Sequence, residues 1–353
     1  MKIISNTKKK ASYISIFFIL IFVISAFLAV YNNSRFYKEP IGKITDIKSS
    51  SSNQYATIEL KNGKEKGRKI NLKTHYDKSL VYDEKYHKGD FVFLNNSKSK
   101  ITGIKRDYYV ACAFLILLVS LVLMGGKQGS LTCVCLIGNI GLFTLLLKAY
   151  LANQNILLIT IVASIIFAFM VLLLINGFNK EFLVAFSATL LTTAVICVIA
   201  YILIQTTGVE YDFLRFLPGP YERKTANQFF LSQIMIGSLG AVTDVCVTVS
   251  SAVVEIIEQT PNLKLKDLIN SVRNITDDIT GTMINVVLLT NLAALLPIFM
   301  ISMPNDISFV TVLRYDGYFD ISRAFMGILG ILISIPVSIL AASKIFKQRN
   351  SND

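Results

Sequence analysis

Tryptophan is absent from this 353-residue chain, histidine occurs twice, and charged residues make up only 16%, against roughly 25% charged residues in an average soluble domain. Each scarcity removes a class of function. With 53% hydrophobic residues and a mean hydropathy of +0.56, the shortage of charge excludes a soluble enzyme. His75 and His87 both lie in a polar segment and no H-E-x-x-H occurs, so metalloprotease chemistry in the membrane lacks its ligands. The five cysteines, Cys112, Cys133, Cys135, Cys197 and Cys246, fall within apolar stretches without a C-x-x-C spacing, which implies neither a disulfide framework nor a zinc site. No nucleophile motif, phosphate loop or G-x-G-D context is present. An enzyme is therefore not expected, and neither is a metal or cofactor. Without tryptophan, anchoring at the membrane surface falls to residues such as Tyr31, Tyr108, Tyr109 and Phe182.

What the chain does have is apolar residues gathered into blocks of about 20, the length that crosses a hydrocarbon core of about 30 Å. These blocks run over 12–31, 109–124, 131–151, 156–176, 182–205, 229–254, 279–303 and 321–343. The expected fold is an α-helical integral membrane protein of about eight transmembrane helices, in which the bilayer itself is the first partner. Residues 1–31 form a cytoplasmic N-terminus and a signal-anchor helix behind Lys8, Lys9 and Lys10. A cleaved signal peptide is the alternative reading of that block. Residues 32–108 form an extracytoplasmic β-rich domain, 109–343 a seven-helix membrane domain, and 344–353 a cytoplasmic tail. The connections around Lys127 and Lys180, residues 255–278 and the tail all carry positive charge. The positive-inside rule then places both termini in the cytoplasm.

The net charge of +12 is uneven. Residues 1–31 hold four lysines and no acid, 32–108 hold 17 basic against nine acidic residues, and 109–353 hold 14 of each. Much of the surplus lies outside the cytoplasm, so nucleic acid is not an expected partner. Within 32–108, short alternating runs cover 41–48, 54–60, 68–73, 91–95 and 101–106, and Asn62-Gly63 is a hairpin signal. A small antiparallel β-domain follows. On the cytoplasmic side, Thr260 can cap a helix that Pro261 opens, and Leu265, Leu268, Ile269 and Val272 recur at helical spacing. An amphipathic helix is expected over 261–276.

Most spans contain no acid, so Asp244 stands out. A carboxylate inside a span costs at least about 2.5–3.5 kcal/mol, and such residues mark functional sites by default. Gly237, Gly240, Ala241, Asp244, Thr248 and Ser251 share one small, polar helical stripe. The following span offers Asp278, Gly281, Thr282 and Asn285 at matching spacing, with Asp277 beside them. Facing each other, the two stripes form a proton or cation site from Asp244, Thr248, Asp277, Asp278, Thr282 and Asn285, while Gly237, Gly240, Ala241 and Gly281 serve helix packing. The other reading gives Asp244 a role in helix register and makes Asp277 and Asp278 helix-start acids at the wet interface.

The run from Gly237 to Asp244, Ser250-Ser251-Ala252, Glu255, and the run from Asn274 through Asp278 and Gly281 to Asn285 resemble the YibE/F-like family of bacterial multi-pass membrane proteins. The Gly125-Gly126-Lys127-Gln128-Gly129 turn and the Arg106-Asp107-Tyr108-Tyr109 junction support the resemblance, which spans nearly the whole chain. Thr276-Asp277 stands where a Gly-Arg pair is usual and Val286-Val287 where Asn-Thr-Leu is expected, which removes an arginine partner from the aspartates. The resemblance implies a bacterial cell-membrane protein and does not name a reaction. Read together, the residues favour a transporter or permease-like protein for an unidentified ion or small molecule. The alternative is a noncatalytic scaffold or sensor that holds a membrane-protein partner, or a second copy, through the outer β-domain and the inner amphipathic helix.

Overall fold

The computed structural model describes residues 24–50, 52–77, 79, 83–152, 155–207, 211, 222–260 and 265–349. The first apolar block is thus described only over 24–31, which is helical (α1); its cleavage site and the first lysines lie outside the described residues. The chain divides into two compact units, Met1–Gly129 and Ser130–Asp353.

In the first unit, five antiparallel strands form one sheet in the order β3-β2-β1-β4-β5, where β1 is Ile41–Ser50, β2 Asn53–Leu60, β3 Lys69–His75, β4 Phe91–Leu94 and β5 Ile101–Ile104. Alternation builds it. Ala56, Ile58 and Leu60 of β2 point inward and pack with Ile44, Val92, Leu94 and Ile101, leaving the intervening side chains to solvent. Gln54 is also buried, and its amide both accepts from the Tyr86 N–H (2.9 Å) and donates to the Tyr86 carbonyl (3.0 Å), so the inward polar group is satisfied. The Asn-Gly pair does not make a two-residue hairpin. β2 ends at Leu60 and β3 begins at Lys69, and the Asn62 side chain turns back instead, accepting from the Ile41 N–H (2.7 Å) and donating to the Glu39 carbonyl (2.8 Å). The signal marked the turn, and the side-chain bonds to the entry of β1 set its length.

The sheet ends in a buried charge. Lys105 is fully buried, with Nζ 2.7 Å from Asp107 Oδ1 and within 6 Å of the ring centres of Tyr37, Phe91 and Tyr108. Asp107 Oδ2 accepts from Asn33 Nδ2 and from the Tyr37 hydroxyl, each at 2.8 Å. Burial and the adjacent carboxylate both push the Tyr37 hydroxyl above its usual pKa, keeping it a donor. Lys105 also donates to the Val30 carbonyl of α1 (3.3 Å), and Tyr31 packs edge-on to Phe91 and Tyr108. One ammonium therefore ties the sheet to α1 and to the start of the next helix.

That helix, α2 (Asp107–Leu151), is 45 residues long, about 68 Å if straight. It is not straight. Gly126 has φ 53° and ψ −122°, outside helical space, and a methyl added at Gly129 would coincide with the Leu121 carbonyl. The helix breaks here because only glycine permits both the backbone angle and the approach. Gly129→Ala is expected to cost about 1–3 kcal/mol through overpacking, read as a fall in the thermal midpoint of the detergent-solubilised protein. Gly125→Ala, with open space around it, is expected to change little.

The second unit is helical: the remainder of α2, then α3 (Ile156–Asn176), α4 (Lys180–Thr207), α5 (Arg223–Gln259), α6 (Leu265–Ser302), the short α7 (Phe309–Val312) and α8 (Tyr318–Arg349). Among the described residues, six helices are long and apolar enough to cross a membrane. Large apolar side chains such as Leu191, Val198 and Ile202 are exposed along them, as bilayer contact requires. α5 occupies the centre, packing against α3, α4, α6 and α8. Gly330 of α8 permits close packing, since a methyl there would meet Ile196 of α4 and Val242 of α5. The amphipathic stretch is continuous with the next span: α6 runs unbroken from Leu265, and Leu268 and Val272 are buried among apolar residues of α5 and α8. Thr260 closes α5, donating its N–H to the Ile256 carbonyl, and does not open a new helix. Residues 261–264, with Pro261, lie outside the described residues.

Candidate functional site

Asp244 lies 15 residues before the end of α5, about 22 Å along the helix axis. It lines a cavity of about 220 Å³ whose other walls are Asn139 of α2, Phe167, Ala168 and Val171 of α3, and Leu239, Gly240 and Thr243 of α5. Among the described residues no hydrogen bond or ion pair reaches its carboxylate; Thr248 bonds only to the Asp244 main-chain carbonyl (2.9 Å). Thr243 likewise donates to the Leu239 carbonyl (2.6 Å). Gly240, with nothing near its Cα hydrogens, keeps the cavity open beside the carboxylate.

The second stripe is not brought to this cavity. Asp277, Asp278, Thr282, Gly281 and Asn285 are all exposed on α6. Asp277 pairs with Arg273 at 3.8 Å, Asn285 donates to the Gly281 carbonyl, and Thr282 bonds to main-chain carbonyls one turn earlier. Helical phase explains the separation. α5 meets α6 and α8 through Val245, Val249 and Val253, which pack with Leu268, Val272, Ile279 and Met283. Val253 lies about 180° around the helix from Asp244. The pairing of Asp244 with Asp278 across two sequence-adjacent helices is therefore corrected: the neighbours of Asp244 are α2 and α3. Nor do Asp277 and Asp278 open a helix, since α6 begins at Leu265.

The small residues divide as well. Gly237 sits at a close contact, where a methyl would lie 2.6 Å from Arg323 Cδ of α8; Ala241 packs into the apolar contact of α5 with α8; Gly281 faces open space. Arg323 itself was not singled out from the sequence, because it stands at the edge of an apolar block. It donates through Nε to Asn291 of α6 (3.0 Å) and pairs with Asp320 of its own helix (2.6 Å), linking α8 to α6 beside Gly237 of α5. Asn139 was also missed. Its signal was present, a lone amide between Gly138 and Gly141 in an apolar block. Its Oδ1 is buried without a partner and its Nδ2 reaches only the Cys135 sulfur (3.6 Å).

Chemically, the cavity offers the carboxylate of Asp244, which is itself exposed, the Thr243 hydroxyl and the Asn139 amide among otherwise apolar walls. Such a place can hold a proton or a small cation. Among the described residues no group of three or more histidine, cysteine or acidic side chains is placed to hold a metal ion. Comparison with protein families matches residues 113–348 to the YibE/F-like protein model and residues 35–108 to the YibE/F family N-terminal domain. No curated protein and no solved structure matches the chain.

Proposed function

The chain belongs to the YibE/F-like family, and from that footing we propose that it is a multi-pass transporter or permease-like protein of the bacterial cell membrane, coupled to an ion held at Asp244. The observation that carries this reading is a carboxylate without a partner among the described residues, lining a cavity between three helices long and apolar enough to span a bilayer. Leaving it unpaired is expensive, and an exchangeable ion offsets that expense when it is bound. Eight crossings, with both termini cytoplasmic, follow when the block 12–31 is counted and α2 is counted as two spans at its Gly126 break; the basic connections at Lys127 and Lys180 support that orientation.

The test is flux. Purified protein in liposomes is given a proton, sodium, potassium or magnesium gradient, and ion movement is followed with a pH dye and ion-selective probes. The wild type is expected to dissipate one gradient, and Asp244→Asn, of the same size and without the charge, is expected to abolish that flux. Equal flux in the two proteins sinks the proposal.

A further inference from the structure

We propose that the open part of the sheet face carried by β1, β2 and β3 is a lipid-docking surface, whose lysines and Tyr55 rest on phosphate-bearing anionic headgroups of the leaflet that α2 enters. The proposal is independent of any ion at Asp244.

The direction of the face comes from register. Residues paired across neighbouring antiparallel strands project from the same side of a sheet. Phe91 of β4 pairs with Lys43 of β1, Lys43 with Glu59 of β2, and Glu59 with Lys69 of β3. One row thus crosses four strands on the side opposite the core of Ile44, Ala56 and Ile58. At its β4 end this side is covered by the roots of helices. Tyr31 at the end of α1 packs edge-on to Phe91, with ring centres 5.1 Å apart, and Lys105 Nζ lies 5.7 Å from the centre of the same ring. From there α2 leaves the sheet, with Val110, Ile116, Leu117 and Leu123 exposed along it. A helix long and apolar enough to cross a bilayer therefore departs from this side. Tyr31, Tyr108 and Tyr109 gather at its root, and aromatic side chains of this kind favour the boundary between headgroups and water. The bilayer that takes up α2 lies on the lysine-bearing side of the sheet.

Away from the helices the same side is open and basic. A second row, Lys48, Tyr55 and Lys73, runs across β1, β2 and β3, about 13 Å along β2 from the first. Tyr55 is 51% exposed, and Lys73 Nζ lies 5.8 Å from its ring centre. Lys48, Lys69 and Lys73 are exposed. Among the described residues of these strands, two acids share the side. Glu59 accepts from Lys61 at 2.6 Å, a bond that holds the carboxyl below its usual range, and Lys69 and Lys43 add to the same field. Asp46, in register with Thr57, is the other. The lysines of this side outnumber its acids, whereas elsewhere in the unit Glu65 meets Arg68 and Lys98, Glu84 meets Arg106, and Asp107 meets Lys105. Phe36, 88% exposed on the turn between α1 and β1, adds an apolar side chain of the kind that enters the boundary between headgroups and acyl chains.

The chemistry of the face selects its occupant. Lysine is depleted at protein interfaces, while a layer of phosphates accepts ammonium groups on flexible stems as point charges without a fixed geometry. Each lysine held at an anionic surface adds about fivefold to the affinity, from about 1 kcal/mol apiece.

The test uses the full chain in nanodiscs. The chain has no tryptophan of its own, so Tyr55→Trp makes a single emitter on the face. Lys88→Trp makes one on the far side of the sheet, where Tyr86 packs in the core and its main chain bonds to the inward Gln54. Discs of phosphatidylcholine are compared with discs of rising phosphatidylglycerol content, each with a trace of lipid that carries a nitroxide quencher on its headgroup. The Tyr55→Trp emission is expected to be quenched and blue-shifted as phosphatidylglycerol rises, and the Lys88→Trp emission to stay unchanged. In the Tyr55→Trp background, Lys48→Gln and Lys73→Gln are each expected to raise the phosphatidylglycerol fraction at half-quenching about fivefold, while Lys88→Gln leaves it in place. Salt at about 1 M, where the screening length falls to about 3 Å, is expected to release the face. Equal quenching of the two reporters, or equal quenching of Tyr55→Trp in the two kinds of disc, overturns the proposal. A loss in Lys88→Gln as large as that in Lys48→Gln does the same, because net charge and not this face is then the cause. If soluble polyphosphate shifts the Tyr55→Trp emission in phosphatidylcholine discs and phosphatidylglycerol does not, the face takes a soluble polyanion and the lipid is rejected.

Discussion

Asp107→Leu is expected to destabilise the first unit by about 3–5 kcal/mol, the cost of leaving one member of a buried ion pair alone. The asymmetry of the pair sharpens the expectation. Lys105 is fully buried, whereas the Asp107 side chain is 26% exposed and keeps Asn33 and Tyr37 as donors when Lys105 is gone. Removing the acid strands an ammonium among aromatic rings; removing the base leaves a carboxylate that still has two hydrogen bonds. Lys105→Met, which places an apolar stem of similar length against Tyr37, Phe91 and Tyr108, is therefore expected to cost about 1–2 kcal/mol, within the range of an unsatisfied polar partner. The double variant is expected to recover much of the Asp107→Leu loss, because well-packed apolar residues can replace a buried pair at little expense. The absence of tryptophan makes the readout clean: the near-ultraviolet circular dichroism of the tyrosines around this junction melts with it. If Lys105→Met proves worse than Asp107→Leu, the pair is not what holds the sheet to the helices.

This junction shows where sequence reading stops. Alternation marks the strands, since a buried face every second residue leaves its trace in the sequence: within the alternating run 54–60, Ala56, Ile58 and Leu60 point inward in the sheet. Lys105 carries no such mark. A lysine between a strand and a span looks like one more solvated charge, and only the convergence of three rings and Asp107 from separate segments makes it the anchor. The Asn-Gly turn was legible as a turn, but not its length, because Asn62 spends its side chain on main-chain groups before β1.

At the candidate site the legible part was energetic and the illegible part geometric. An acid in a long apolar block is conspicuous from the sequence alone, and Asp244 does line a cavity. The sequence points to partners on the next helix because adjacent spans pack together, and α5 and α6 do pack. They meet through valines on the opposite side of α5. A stripe gives the phase of one helix relative to itself, and nothing in it says which neighbour takes which face. The same limit hid the fate of the amphipathic stretch, of which Leu268 and Val272 are covered by this chain's own α5 and α8 while Ile269 is exposed.

Arg323 offers the second large effect, and one whose sign reverses with context. Arg323→Ala removes charge-assisted bonds to Asp320 and Asn291, each worth about 1.5–3 kcal/mol, and uncouples α8 from α6 beside α5. Gly237→Ala attacks the same contact from below. A methyl there lies 2.6 Å from Arg323 Cδ and 2.9 Å from Cγ, tighter than carbon atoms tolerate, so the stem must lift and the Nε bond to Asn291 is lost. In the wild-type background Gly237→Ala is thus expected to lower the thermal midpoint in detergent. In the Arg323→Ala background the stem that caused the collision is gone, and alanine is preferred over glycine within a helix by about 1 kcal/mol, so the same substitution is expected to raise the midpoint. Independent sites add their effects, while residues in contact do not. Additive losses in the double variant would mean that Arg323 does not rest on Gly237, and that the three helices are held together by their apolar contacts alone.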